Sequence, residues 1–175
     1  MMEIWDRTRR NHGLEHATIA IMMERGTAAG LVGGNSIHDG FFVFGNVDTS
    51  AIEVATAEAL ARMGRGEGSL AVSPFCGTNM VVAAALTSIG AVFSLQTAGR
   101  GPNGWSRAFS NAMFGLFLSR PMGRWVQRRY TTSPNVSGMS INKVSAFKLG
   151  KLTIHKVSTA FDQGDAAQAS SPSAP

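Results

Sequence analysis

The sequence predicts an α+β protein: a small head of one helix followed by a β-β-α-β arrangement, then a hydrophobic helical hairpin and a C-terminal β segment. Three observations lead there. Apolar residues recur at helical spacing from about Asp6 to Arg25 and again after Ser50; short β-branched and aromatic runs are cut by Gly, Asn and Asp; and a charge-free stretch, Met80 to Leu95, lies mid-chain. The expected layout is a head over 1–75, a membrane-associated hairpin over 76–130, and a β segment over 131–161 that packs on the head. A tail over 162–175, rich in Gln, Ala, Ser and Pro without periodicity, reads as disordered.

The first helix is expected from about Asp6 to Arg25, stopping at Gly26, a residue suited to the left-handed position beyond a helix end. Leu14, Ala17, Ile21 and Met22 make one apolar stripe, and His12, His16, Ala20 and Met23 a neighbouring one. The histidines therefore border the buried face. In AAGLVGGNSIHDGFFVFG two apolar runs are separated by Gly33, Gly34 and Asn35 and then by Asp39 and Gly40. This punctuation favours strands joined by turns, with Phe41 to Phe44 as the clearer strand. Ser50 and Glu53 form the S-x-x-E capping box of a helix that carries Ile52, Ala55, Ala59, Leu60 and Met63 on one side and the Glu58/Arg62 pair on the other. Leu70 to Val72 reads as a short third strand.

Met80 to Leu95 is sixteen residues without a charge, and with its flanks through Ala98 it approaches the length of about 20 that spans a bilayer. Its Ala, Ser, Thr and Gly suit close helix packing. The next segment, Trp105 to Trp125, has only twelve uncharged residues between Arg107 and Arg120. Twelve helical residues cover about 18 Å against hydrocarbon of about 30 Å, so this segment is expected as a tilted span or an interfacial helix. Trp105, Trp125 and Tyr130 suit the headgroup zone, and Arg120, Arg124, Arg128 and Arg129 the cytoplasmic side. After Pro134, alternating β-branched residues and lysines predict two or three strands, with a turn at Lys148-Leu149-Gly150-Lys151.

Charge is unevenly placed. Residues 1–67 hold nine acids against six arginines, no Asp or Glu occurs between Gly68 and Phe161, and ten Lys and Arg follow from Arg100 onward. These arginines flank apolar segments instead of interleaving with aromatics on a polar surface. That argues against nucleic acid as a partner and for the lipid bilayer. One cysteine, Cys76, excludes an internal disulfide framework and leaves a thiol that can serve as a ligand. The charged amino terminus MMEIWDRTRRNHG lacks the apolar core of a signal peptide, so membrane entry is expected through an internal segment of a bacterial cytoplasmic membrane protein, with the head and the basic C-terminal segment on the cytoplasmic side.

The chemistry-bearing stretch is NHGLEHATI. His12 and His16 lie one helical turn apart, so both imidazoles leave the same face, with Glu15 beside the second. This is the H-x-x-E-H order of the inverted zinc peptidases, in which the histidines hold the metal and the glutamate takes a proton from metal-bound water. Zinc needs at least one further protein ligand. The candidates are Cys76 in CGTN and, copying those peptidases, a downstream carboxylate, Glu53 or Glu58; Glu58 already faces Arg62. His38 reads as a solvated turn histidine. His155, on a strand, points either to the head's site or outward. Thr78 and Asn79 read as caps of the hydrophobic helix.

NHGLEHATI, a GFFVFG strand, CGTN ahead of a hydrophobic run, and RPMGRWVQRRYTT after it together resemble a bacterial family of unknown function, the DUF6391-type proteins, from about Arg9 to Thr159. The resemblance implies a shared fold and a shared site at His12, Glu15, His16 and Cys76. It implies no activity.

Two functions compete on the residues alone. One is a membrane-associated zinc-dependent hydrolase, peptidase-like, with Glu15 as general base and a peptide substrate. The other is a non-catalytic accessory protein that packs against other membrane-protein subunits, its H-x-x-E-H helix being a structural metal site or a metal-free packing element.

Overall fold

A computed structural model describes residues 2–28, 30, 32–150 and 152–162. The chain runs α1 (Met2–Glu24), β1 (Gly33–Ile37), β2 (Gly40–Phe44), α2 (Thr49–Gly64), α3 (Gly77–Ala98), α4 (Pro102–Val126), β3 (Met139–Leu149) and β4 (Leu152–Phe161). It is an α+β fold of two compact units. One comprises the residues up to Ala71 together with those from Thr132 onward; the other is Val72–Thr131, inserted between them.

In the first unit the four strands form one antiparallel sheet in the order β1-β2-β4-β3. Alternation along β2 explains the burial: Phe41 and Val43 are fully buried, while Phe42 and Phe44 face the other way with their rings stacked. Phe41 lies opposite Val157 of β4, and both join Leu14, Ala17, Ile21 and Met22 of α1 and Ile52, Ala55, Ala59 and Met63 of α2 in one core. The return segment after Thr132 is fastened along the start of α1. Ser133 N–H donates to Arg9 O at 2.9 Å, and the Arg10 guanidinium donates to the carbonyls of Asn135 and Ser137.

Several sequence expectations need correction. Gly33, Gly34 and Asn35 are not a turn but the first residues of β1, paired with Phe44, Val43 and Phe42. Leu70–Val72 is not a strand. Gly68–Ala71 is a 3₁₀ turn, because so short an apolar run, closed in between Gly66 and Pro74, cannot extend into a strand. The helix α2 begins at Thr49 with Asp48 at its N-cap, so Ser50 and Glu53 lie inside it and form no capping box. The C-terminal segment is two strands in a long hairpin that closes between Leu149 and Leu152, with a register shift between Ile141 and Lys143. Lys151 and the residues of the tail beyond Asp162 lie outside the described residues.

The second unit is an antiparallel helix pair. Helix α3 has 22 residues and is long and apolar enough to cross a membrane. Helix α4 is one continuous helix of 25 residues, about 37 Å long, through the arginines that framed its short uncharged centre. Only small side chains are buried along it: Gly104, Ala108, Gly115, Ser119 and Gly123. A Cβ at Gly115 would sit 2.8 Å from Leu86 O, and one at Gly90 would sit 3.0 Å from Asn111 O, so the two backbones are nearly in contact. Asn111 Nδ2 donates to Ser94 Oγ at 2.7 Å across the pair. The large apolar residues point away: Ile89, Phe93, Phe109, Phe114 and Phe117 are each more than 60% exposed. That inverts the distribution of a water-soluble helix pair.

Candidate metal centre

Helix α1 carries the candidate site at mid-length, where its buried stripe meets the sheet. The His12 and His16 rings lie 4.4 Å apart between centroids and are tilted by 58°. His16 is buried and His12 half-buried. His16 Nδ1 lies 2.9 Å from Ala71 O. A carbonyl can only accept, so Nδ1 carries the proton and Nε2 keeps its lone pair, the arrangement by which metal-binding histidines are usually oriented. The 3₁₀ turn that replaced the expected strand is thus what supplies the partner.

Gly13, between the two histidines in sequence, is there for close approach. A Cβ on it would run into Ser133 O and lie 3.2 Å from Ala71 Cβ, so only glycine lets the return segment and the 3₁₀ turn close against α1.

Glu15 is 4% exposed and lies under β1. Ser36 Oγ donates to its Oε2. Gly34, two residues earlier on the same face of the strand, leaves room for the carboxylate, since a Cβ there would lie 2.8 Å from Glu15 Cγ and closer still to Oε1. Burial pushes the Glu15 carboxyl above its ordinary value, and the Ser36 hydrogen bond and nearby His12 oppose that only in part. Neither Gly34 nor Ser36 was a candidate from sequence. The usable signal was two small residues alternating on a strand that follows an acidic helix position.

The other candidates fall elsewhere. Glu58 ion-pairs with Arg25, and with Arg62 at 3.7 Å, on the surface where α1 and α2 pack. Arg25 is nine residues beyond His16, about 14 Å along the helix, which takes Glu58 away from the histidines. Glu53 is exposed on α2 and His38 is exposed in the β1–β2 turn. His155 points neither outward nor to a ligand set. It is 1% exposed and lies opposite Val43 in the sheet. Burial lowers its pKa, and an interaction with the Val43 backbone opposes that only in part.

Cys76 belongs to the second unit, where it is buried at the N-cap of α3 and takes part in no disulfide. The loop before it is held by a polar lock that the sequence did not reveal. Gln127, fully buried, accepts from Ser73 N and donates to Ser73 O and to Asn79 Oδ1. Asn79 Nδ2 in turn donates to the Ser73 and Pro74 carbonyls. Asn79 is therefore a clamp on the Ser73–Cys76 loop and not a helix cap. Thr78 Oγ1 bonds Thr131 Oγ1 instead of capping.

An α+β head bearing paired histidines and a buried glutamate on its first helix, with a helical hairpin inserted in its chain, defines the class. The chain belongs to the family described as Domain of unknown function (DUF6391), which it matches over residues 7–144. It is also 37% identical over 89 residues to an uncharacterised protein of Picosynechococcus sp., across 46% of this chain and 43% of that protein. The chain thus spans less than half the length of that relative. No solved structure matches it.

Proposed function

We propose that this protein is a membrane-anchored zinc hydrolase in which His12, His16 and Cys76 would hold the ion, leaving a position for water, and Glu15 acts as general base, taking a proton from the water that attacks a peptide-like carbonyl. The observation that carries the reading is the bond of His16 Nδ1 to Ala71 O, which presents a bare Nε2 beside the second imidazole. Three neutral or anionic donors of this kind suit zinc, which when bound polarises a carbonyl and activates water. Cys76 is five residues beyond Ala71 in the chain, so the backbone holds it within about 17 Å of the carbonyl that orients His16. Glu15 receives the proton on its carboxylate, which Ser36 and the space left by Gly34 hold in one orientation. The length of α3 and the outward-facing phenylalanines of both hairpin helices support anchoring. The basic run after α4 favours the cytoplasmic side.

One observation favours a second reading. Glu15 is tied to Ser36 and shielded by β1, which also suits a carboxylate whose role is to orient the helix in a non-catalytic accessory subunit with a structural metal. Glu15→Gln separates the two. The hydrolase reading expects zinc content to be kept and turnover of a peptide library to be lost. Wild-type protein that carries stoichiometric zinc yet cleaves nothing, while Glu15→Gln loses thermal stability, supports the accessory reading and overturns catalysis.

A further inference from the structure

The hairpin unit contains six arginines, Arg100, Arg107, Arg120, Arg124, Arg128 and Arg129, and not one Asp or Glu. No carboxylate within it can balance them. Arg120, Arg124 and Arg128 recur at every fourth residue through the end of α4 and into the π-helical turn Gln127–Thr131, and all three are exposed. Each directly follows a buried member of the packing stripe, Ser119, Gly123 or Gln127, so the guanidinium groups share one flank of the helix. Like charges at this spacing repel, and none of the three has an ion pair among the described residues.

Their surroundings indicate what balances them. Phe114 and Phe117, one to two turns earlier, are 62% and 76% exposed, and Trp125 and Tyr130, in edge contact at 5.6 Å, lie among the arginines and are about half exposed. Trp105, also exposed, is twenty residues before Trp125, or about 30 Å along the helix, the thickness of bilayer hydrocarbon. If α4 crosses the bilayer, indole rings at that separation lie in the two headgroup layers. The stripe starts just inside the second and continues into it, where the available anion is a lipid phosphate. The planar guanidinium fork matches such a phosphate in a bidentate manner.

We propose that Arg120, Arg124 and Arg128 form a binding stripe for the phosphate groups of anionic phospholipids in the leaflet that receives the end of α4. The proposal rests on the membrane reading above. Each arginine beside an anionic surface contributes about fivefold to binding, so the stripe selects anionic over zwitterionic lipid by about a hundredfold.

The test uses the full chain with two readouts. Flotation with phosphatidylcholine vesicles reads insertion; the ratio of phosphatidylglycerol to phosphatidylcholine retained after extraction from mixed vesicles, measured by native mass spectrometry, reads the stripe. Wild type should float and retain phosphatidylglycerol with strong preference. The Arg120→Gln, Arg124→Gln, Arg128→Gln variant, altered only at exposed positions, should float equally and lose the preference. A Lys143→Gln, Lys148→Gln control in the β segment should keep it. Floating wild type that retains both lipids alike overturns the stripe and leaves the membrane reading intact. So does a triple variant that keeps its preference, a control that loses it as fully, or inorganic phosphate that abolishes it. Wild type that stays out of vesicles overturns the membrane reading and the proposal with it.

Discussion

Gly34→Ala probes how Glu15 is held. The new Cβ would lie 2.8 Å from Glu15 Cγ and nearer to its carboxylate, inside van der Waals contact. Either β1 shifts outward or the carboxylate leaves its niche and gives up the Ser36 hydrogen bond. Overpacking of this kind costs about 1–3 kcal/mol, and a hydrogen bond to an ionised group contributes about 1.5–3 kcal/mol. The reduced entropy of the unfolded chain returns about 0.4–1 kcal/mol. A net loss of about 1–2 kcal/mol is therefore expected, a fall in Tm of about 3–12 °C for a head of this size. Thermal unfolding of the detergent-solubilised full chain, followed by circular dichroism, measures it. The decisive comparison is the same substitution in a Glu15→Ala background, where the three nearest atoms, all of the Glu15 side chain, are gone and Gly34→Ala should be neutral or mildly stabilising. An equal loss in both backgrounds would show that the glycine serves the strand backbone and not the carboxylate.

Three further perturbations follow from the same structure. His155 is buried with its pKa lowered, so the unfolded chain takes up the proton first as pH falls: the stability it contributes is complete above about pH 6.5 and is lost below that, by up to about 1.4 kcal/mol per pH unit. His155→Leu should flatten this acid limb in denaturant melts while leaving neutral-pH stability unchanged or higher. Gly115→Val sets side-chain carbons against Leu86 O and should part α3 from α4, seen as new protease cleavage within the hairpin of vesicle-bound protein. Gln127→Leu removes the lock on the Ser73–Cys76 loop and should speed maleimide labelling of Cys76 several-fold, with α3 and α4 helicity unchanged.

What could be read from sequence divides along physical lines. The α1 stripe Leu14, Ala17, Ile21 and Met22 is fully buried because helical periodicity reports local geometry, and β2 follows from FFVF for the same reason. The course of Gly33–Asn35 was misread because glycine signals a turn by its conformational freedom. Here the absence of a side chain is used for close approach to Glu15. Leu70–Val72 was misread because three apolar residues cannot by themselves specify a sheet partner, and β4, more than eighty residues later in the chain, had the better claim on β2. The segment Trp105–Trp125 is helical as its pattern implies, extending to Pro102–Val126, but the stripe of small residues from Gly104 to Gly123 that packs it on α3 carries no local signal, because which face a helix turns to its partner depends on that partner. Of the site, the pairing of His12 with His16 follows from a spacing of four. Ala71, Ser36 and Gln127 act through long-range backbone and amide contacts that no local pattern records.

Cobalt(II) titration of the purified full chain tests the metal centre most directly. A site made by two imidazoles and one thiolate predicts one equivalent bound, intense visible bands of a four-coordinate ion, and a near-ultraviolet thiolate-to-cobalt charge-transfer band. Cys76→Ser should remove only the charge-transfer band, His12→Ala and His16→Ala should abolish stoichiometric binding, and Glu15→Gln should leave the spectrum in place. A wild-type spectrum of hexa-aqua cobalt throughout, or a full spectrum surviving both histidine substitutions, would contradict the account.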